Sequence, residues 1–332
     1  MPHVVEVPSP RAELAPGSVN SAIVAGPDGG WMYAALALGT SALLVVAADG
    51  ASATPIGGLG EGPGEMRAPF PLWLDDTVAI GHDLATRRII IWSRDDGRVR
   101  REFRAAEPVV PFARGPGPTL LASRFRGTTM VPALIDLATG EVRDVVQPID
   151  SVLVDLFRDD ASISDRVANS PAIGRWRDGV VVANGLTYAM AAWHGNGQLA
   201  HRTTRDLPPT LMGADEVESE LRRLRHSALA RGPEQVARLR AELQSTPVRR
   251  FTHVGAPRSD GHGRLWVVVK EGDMVAADVF AGERFLGRVA LECPGFGGRW
   301  DLNGEWLLLV CEPGDPEVML DAVVRRYRIM EP

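Results

Sequence analysis

"GGLGEGPGEMRAP", residues 57–69, sets five glycines and two prolines among thirteen positions, with Glu61, Glu65 and Arg67 between them. Such a stretch is either a loop that grips a ligand or a corner where the chain changes direction. As a phosphate cradle it lacks the Lys-Ser/Thr pair that closes a P-loop, and no helix start follows it. As a corner it is coherent. Gly62 and Gly64 around Pro63 permit a tight crossover, Glu61 and Glu65 are placed to accept from backbone N–H groups, and Arg67 to pair with them. The corner is the expectation.

On both sides of it the chain repeats one unit: a short apolar strand, a turn carrying Asp-Gly, Asn-Gly or a close variant, and another apolar strand. "TVAIGH", "RIIIWS", "TLLASRF", "PALIDLA", "GVVVANG", "RLWVVVK" and "WLLLVCE" are such strands. The turn residues between them tolerate the positive φ of tight hairpins. Strands at this spacing, with almost no helical periodicity, predict an all-β chain. The hairpins group into units of a length expected for propeller blades. The division is residues 18–58, 70–105, 109–148, 168–207, 250–293 and 296–330, a six-bladed β-propeller formed by residues 1–332 as one domain. The early strand "HVVEVPS" is expected to pair with the last blade, because an open ring would leave sheet edges unpaired.

One segment breaks the pattern. Residues 213–245, "GADEVESELRRLRHSALARGPEQVARLRAELQS", are charged and helical. Val217, Leu221, Leu224 and Leu229 form one apolar stripe, and Val236, Leu239 and Leu243 another. Gly232-Pro233 separates two helices, since proline suits a first turn. This predicts a short helical insertion between blades four and five, read as a packing brace, with a lid or a partner-binding surface as the alternatives.

Composition excludes more than it selects. The chain has 332 residues, a formal charge of -6 and 45% hydrophobic residues. No basic excess is available to displace counterions from a nucleic acid, so none is expected as a partner. No window reaches the roughly 20 apolar residues of a membrane span. The first seventeen residues lack a charged start followed by an apolar run, so no signal peptide is read there. Lys270 is the sole lysine, which leaves any anion site with forked arginine donors. Cys293 and Cys311 complete no zinc set. They end two expected strands, and buried free thiols are the expected state, with a disulfide as the alternative.

"IGGLGEGPGEMRAP" resembles the G-x-G-E-G-P-G-E-F signature of bacterial six-bladed β-propeller proteins related to the NHL-repeat propellers, where it joins the first blade to the second. Met66 stands in place of the usual phenylalanine. "DGHGRLWVVV" followed by "DVFAGERFLGRVAL" is similar to that family's fifth blade, and the charged helical segment before it fits as well. The resemblance covers about residues 20–330, with the middle blades more diverged. It implies the fold, and an exported or periplasmic setting. The wider six-bladed class includes calcium-dependent lactonases and other hydrolases beside pure interaction modules, so fold alone does not choose an activity.

For catalysis the candidates are His82, Asp83 and His253, each near the end of an expected strand, where an acid–base pair would have to converge on the channel mouth. For a metal the resemblance points to calcium in an oxygen cage, with Asp83, Asn169, Asn184 and Asn303 as candidate ligands. No cofactor is expected. No Gly-x-Ser-x-Gly elbow occurs. The tryptophans lie mostly within strands, where wedging between blades is the ordinary role, with one or two left to line a pocket. Two functions follow. The first is a scaffold binding a protein partner or small-molecule ligand at the channel mouth. The second is a metal-dependent hydrolase or lactonase, which a channel lined by arginines would argue against.

Overall fold

In the computed structural model the described residues are 1–8, 22–35, 42–126, 129–147, 150–157, 172–184, 188–205, 210–215, 217–218, 221, 232–245, 247–248, 256–271, 274–296, 298–311 and 322–331. Turns set the architecture. Asp136 Oδ1 accepts from the N–H groups of Ala138 and Thr139, both at 2.7 Å, and Asp49 Oδ1 accepts from Ala51 N at 2.8 Å. These side chains mimic backbone turns, so the strands on either side fold back antiparallel.

The hairpins build six four-stranded sheets. Blade one runs from Ile23 to Ile56, blade two from Pro69 to Arg104, blade three from Val110 to Asp144, blade four from Ala172 to Thr204 and blade five from Arg258 to Leu291. Blade six takes three strands from Trp300–Met330 and its fourth from His3–Glu6, which pairs antiparallel with Val323–Met330 in the register His3 to Met330. That closes the ring as the sequence predicts.

Burial explains why the middle strands are apolar on both faces. Arg88–Ser93, Gly179–Asn184 and Ala189–Trp193 are buried at every position, whereas the outermost strand Val99–Arg104 of blade two is exposed or half-buried. A sheet covered on both sides reads as a continuous apolar run. Six apolar clusters fill the six seams between neighbouring blades. The seam between blades six and one packs Leu308 and Val310 against Trp31 and Val46. Each such fully buried side chain contributes about 2 kcal/mol. Side chains as well as the strand ladder therefore hold the closure.

The seams also carry buried charge. Between blades four and five, Asp278 is fully buried and accepts from Tyr188 Oη at 2.7 Å, from Arg288 Nε at 2.7 Å and from Arg205. Burial, with the Asp278 carboxylate beside it, holds the Tyr188 hydroxyl well above its usual range.

Residues 57–69 form the corner between blades one and two. Glu65 Oε2 accepts from Gly62 N at 2.8 Å, and Arg67 pairs with Glu61 at 2.7 Å. Gly64 has φ +74, and a Cβ there would stand 2.6 Å from Val99 Cγ2. Arg88 reaches into the corner, donating through Nη1 to the carbonyls of Glu61 and Gly62 at 3.2 and 3.1 Å. Gly-Pro-Gly is needed here for backbone shape.

Among the described residues, two helices with defined bounds stand outside the blades. Pro233–Ser245 belongs to the insertion between blades four and five and starts at the expected proline. Val217, Leu221 and Leu243 form its buried core, and Arg240 grips Glu218 through Nε at 2.9 Å. The ribbon of Thr210–Leu211 with Pro247–Val248 closes its base. The second helix, Ser151–Phe157, precedes blade four and was not expected. Asp150 Oδ1 caps it by accepting from Leu153 N at 3.0 Å, and Leu153 and Leu156 enter the seam between blades three and four. Among the described residues no helix is long and apolar enough to cross a membrane.

The cysteines correct one expectation. Cys293 and Cys311 are bonded rather than free, with Cα atoms 5.1 Å apart. Cys293 follows the last strand of blade five and Cys311 ends a middle strand of blade six, both inside the seam between these blades. Neighbouring positions in a closed ring brought the two sulfurs into bonding range.

Candidate functional site

The innermost strands are Ile23–Ala25, Pro69–Leu74, Val110–Arg114, Ala172–Trp176, Arg258–Ser259 and Trp300–Asn303. Each touches the innermost strand of the blade before and after it, so together they wall the central channel. Their C-terminal ends are polar. Trp73, Arg114, Arg175, Arg258 and Asp301 come from blades two to six at this end, and blade one presents Ala25 N to Asp301 Oδ2 at 2.8 Å.

Two carboxylates there are fully engaged. Asp301 Oδ1 pairs with Arg258 Nε at 2.7 Å, and Asp75 Oδ2 accepts from Arg114 Nη1 at 2.6 Å. Asp75 Oδ1 caps its own turn, accepting from the N–H groups of Thr77 and Val78, both at 2.8 Å. Burial pushes the Asp75 carboxyl up, but these hydrogen bonds outweigh it and hold the group below the usual range. Arg94 extends the network to blade one, bonding Asp28 at 2.7 Å and the carbonyl of Asp75 at 2.9 Å.

Arg175 differs. Its guanidinium lies over the Trp73 ring at 4.8 Å, reaching from blade four past blade three to blade two. It feels Asp301 of blade six as well as Arg258 and Arg114. A side chain that meets groups two blades away in both directions stands near the axis. Among the described residues no carboxylate lies within ion-pair distance of it. Burial, with the repulsion of Arg258 and Arg114, holds its pKa below the ordinary arginine value. Three guanidinium groups thus share two carboxylates, and one positive charge remains. Trp73 is also faced by Arg114 at 5.8 Å, and Trp300 by Arg258 at 5.5 Å.

The residues singled out from sequence lie elsewhere. His82 and Asp83 end the second strand of blade two, at the face opposite Trp73. His82 is 4% exposed, Nδ1 has no hydrogen-bond partner, and burial pushes its pKa down to about 4. Asp83 accepts from Arg67 N, Ala68 N and Ala85 N at 3.2, 3.0 and 3.1 Å and from Thr86 Oγ1 at 2.5 Å. Asn184 donates to the carbonyl of Leu156 at 2.6 Å, holding the end of the short helix. Asn303 donates to the carbonyl of Ala25 at 2.9 Å, linking blades six and one. Asp83, Asn184 and Asn303 therefore stand in three blades, each bonded to its own surroundings. His253 and Asn169 lie outside the described residues. Among the described residues no three His, Cys, Asp or Glu side chains come together as a metal site would require.

The channel residues were missed one by one. The available signal was a charged or indole side chain just ahead of a blade's first turn, as in "PLWLDD", "FARGPG", "GRWRDG", "PRSDGHG" and "RWDLNGE".

Fold and channel together define a six-bladed β-propeller protein whose channel is walled at one end by arginines and indoles. No protein-family model matches the chain, and no curated protein matches it. Solved structures similar to it are propeller proteins. A member of the DUF4221 family from Bacteroides vulgatus is 10% identical with TM-score 0.55, over 99% of each chain. A Bacteroides fragilis protein is 12% identical with TM-score 0.52, over 100% of this chain and 95% of that one. A gluconolactonase from Xanthomonas campestris is 9% identical with TM-score 0.48, over 98% of each chain. Identities this low show the fold alone.

Proposed function

We propose that this chain is a binding propeller, which takes a small-molecule ligand or a protein segment at the channel end walled by Trp73, Arg114, Arg175, Arg258 and Asp301. The observation that carries this reading is Arg175. It is a charged side chain near the axis, stacked on an indole, with no carboxylate of its own among the described residues. Groups from blades two, three, five and six surround it, and a ligand there would touch several blades at once. Arginine and tryptophan suit recognition through forked donors and flat apolar faces. Water activation instead calls for a base or a metal cage.

We also propose kinship with the NHL-like bacterial propellers, supported by residues 57–69 lying between blades one and two. An exported or periplasmic setting is supported by the Cys293–Cys311 bond, since such bonds persist in oxidising compartments.

The test is a thermal-shift screen of charged and neutral small molecules and short peptides, run on the wild type and on Trp73→Leu. Ligands that stabilise the wild type and lose their effect in Trp73→Leu support the reading. Stabilisation untouched by that substitution, or calcium-dependent hydrolysis of lactones by the purified protein, would overturn it.

A further inference from the structure

Resting on the channel reading, we infer that Arg175 is an anion-recognition group and that the channel end takes the carboxylate of a small monoanionic ligand. Charge comes first. Arg114 and Arg258 are each matched by an aspartate; Asp75 already accepts from several donors, and Asp301 accepts from Ala25 N besides pairing with Arg258. Arg175 is the guanidinium left over. A single unmatched positive charge in a partly desolvated channel is neutralised by one negative charge. A dianion such as phosphate would bring a second negative charge toward Asp75 and Asp301.

Geometry comes second. The indole of Trp73 covers one face of the Arg175 guanidinium at 4.8 Å. The contact anchors the guanidinium against the ring, and among the described residues no acceptor in the guanidinium plane takes its N–H groups. A carboxylate matches two parallel N–H donors in that plane. The same indole restricts the arginine to few rotamers, so less order is lost when an anion binds.

Desolvation comes third. Asp301, the carboxylate whose field reaches Arg175, is taken up by Arg258 and Ala25 N, while Arg258 and Arg114 repel it. Burial therefore leaves it strained as a cation, and its pKa falls below the ordinary value. An incoming carboxylate relieves that directly.

The experiment uses benzoate as probe, with acetate, inorganic phosphate and neutral benzamide beside it, titrated by calorimetry at low salt into the full chain. Expected is saturable binding of benzoate, weaker binding of acetate through the carboxylate alone, and at least tenfold weaker binding of benzamide and phosphate. Arg175→Gln is expected to weaken benzoate at least tenfold while leaving the melting temperature within a few degrees. Arg175→Lys keeps the charge without the fork and is expected to fall between. Should Arg175→Gln fail to fold, the wild-type series decides. Benzoate must quench or shift tryptophan fluorescence in the wild type but not in Trp73→Leu, and added chloride must compete with it. Equal affinity for benzoate and benzamide, or benzoate binding unchanged in a folded Arg175→Gln, would overturn the inference while leaving the channel reading intact. No response to Trp73→Leu by any bound compound would remove both.

Discussion

Arg88 Nη2 donates to the main-chain oxygen of Glu65 at 2.5 Å, tying the third strand of blade two to the corner that precedes that blade. The same guanidinium pairs with Glu102 at 2.7 Å and approaches Asp83 at 3.7 Å. Replacing Arg88 by Met would leave the Glu102 carboxylate and three carbonyls short of a donor, and the buried Asp83 without its neighbouring positive charge. Breaking a buried pair from one side costs about 3–5 kcal/mol. Urea denaturation is expected to show that loss, with unchanged slope. Gly64→Ala is expected to cost about 2 kcal/mol, because Ala at a left-handed φ is strained and its Cβ meets Val99. A folded Gly64→Ala that loses ligand binding with unchanged stability would contradict a purely structural corner.

Reduction should expose the weight of the bond between blades five and six. Cys293 and Cys311 are 18 residues apart, a loop length for which a disulfide contributes about 3 kcal/mol. A reducing agent is expected to lower the melting temperature of the wild type by several degrees and to leave the double Cys→Ala variant unmoved. Equal sensitivity of the two proteins would refute the pairing.

Stability should also depend on pH through His82. Burial holds its native pKa down to about 4, against 6.5 when free, with Asp83 opposing the shift. Between these values the unfolded chain binds a proton that the native site refuses. Stability from this group is therefore complete above about pH 6.5 and is lost as pH falls toward about 4, by roughly 3 kcal/mol in all. His82→Leu is expected to flatten the stability profile over that window. An unchanged slope would show that His82 titrates normally.

Asp278 accepts from three side chains, Tyr188, Arg205 and Arg288, at the seam of blades four and five. Asp278→Asn keeps its size but removes the charge that three donors share. Two arginines then lose the carboxylate they share, and a loss of about 3 kcal/mol is expected by thermal or urea unfolding. Asp278→Leu is expected to be worse, since it removes the hydrogen bond from the Tyr188 hydroxyl as well.

Local signals carried most of the architecture. Asp49 and Asp136 are turn-formers because their side chains bond two and three residues ahead, an interaction legible in sequence. "RIIIWS" is apolar at alternate and intervening positions because it is a middle strand covered on both faces. Ser151–Phe157 was not legible, since seven residues give too few periods to separate a helix from an apolar run. The Cys293–Cys311 bond was not decided by spacing, because it depends on which blades are neighbours. Channel residues are harder still. Trp73 and Arg175 lie far apart in sequence, and only closure of the ring points both at one axis. Each alone looks like an ordinary strand residue.

Blade six borrows its outer strand from His3–Glu6 and its other three from the far end of the chain. During synthesis the first residues must wait unpaired while five blades are laid down, and the ring locks only when Val323–Met330 arrives. The pairing of His3 with Met330 joins the two ends of the described chain, and such long-range contacts slow folding because the loop must close before they form. Until then the apolar faces of blades one and five that later pack against blade six stay uncovered, and such patches invite association with another chain. Removing residues 1–8 would therefore show itself first as slow refolding and aggregation, in a protein whose five other blades have lost nothing.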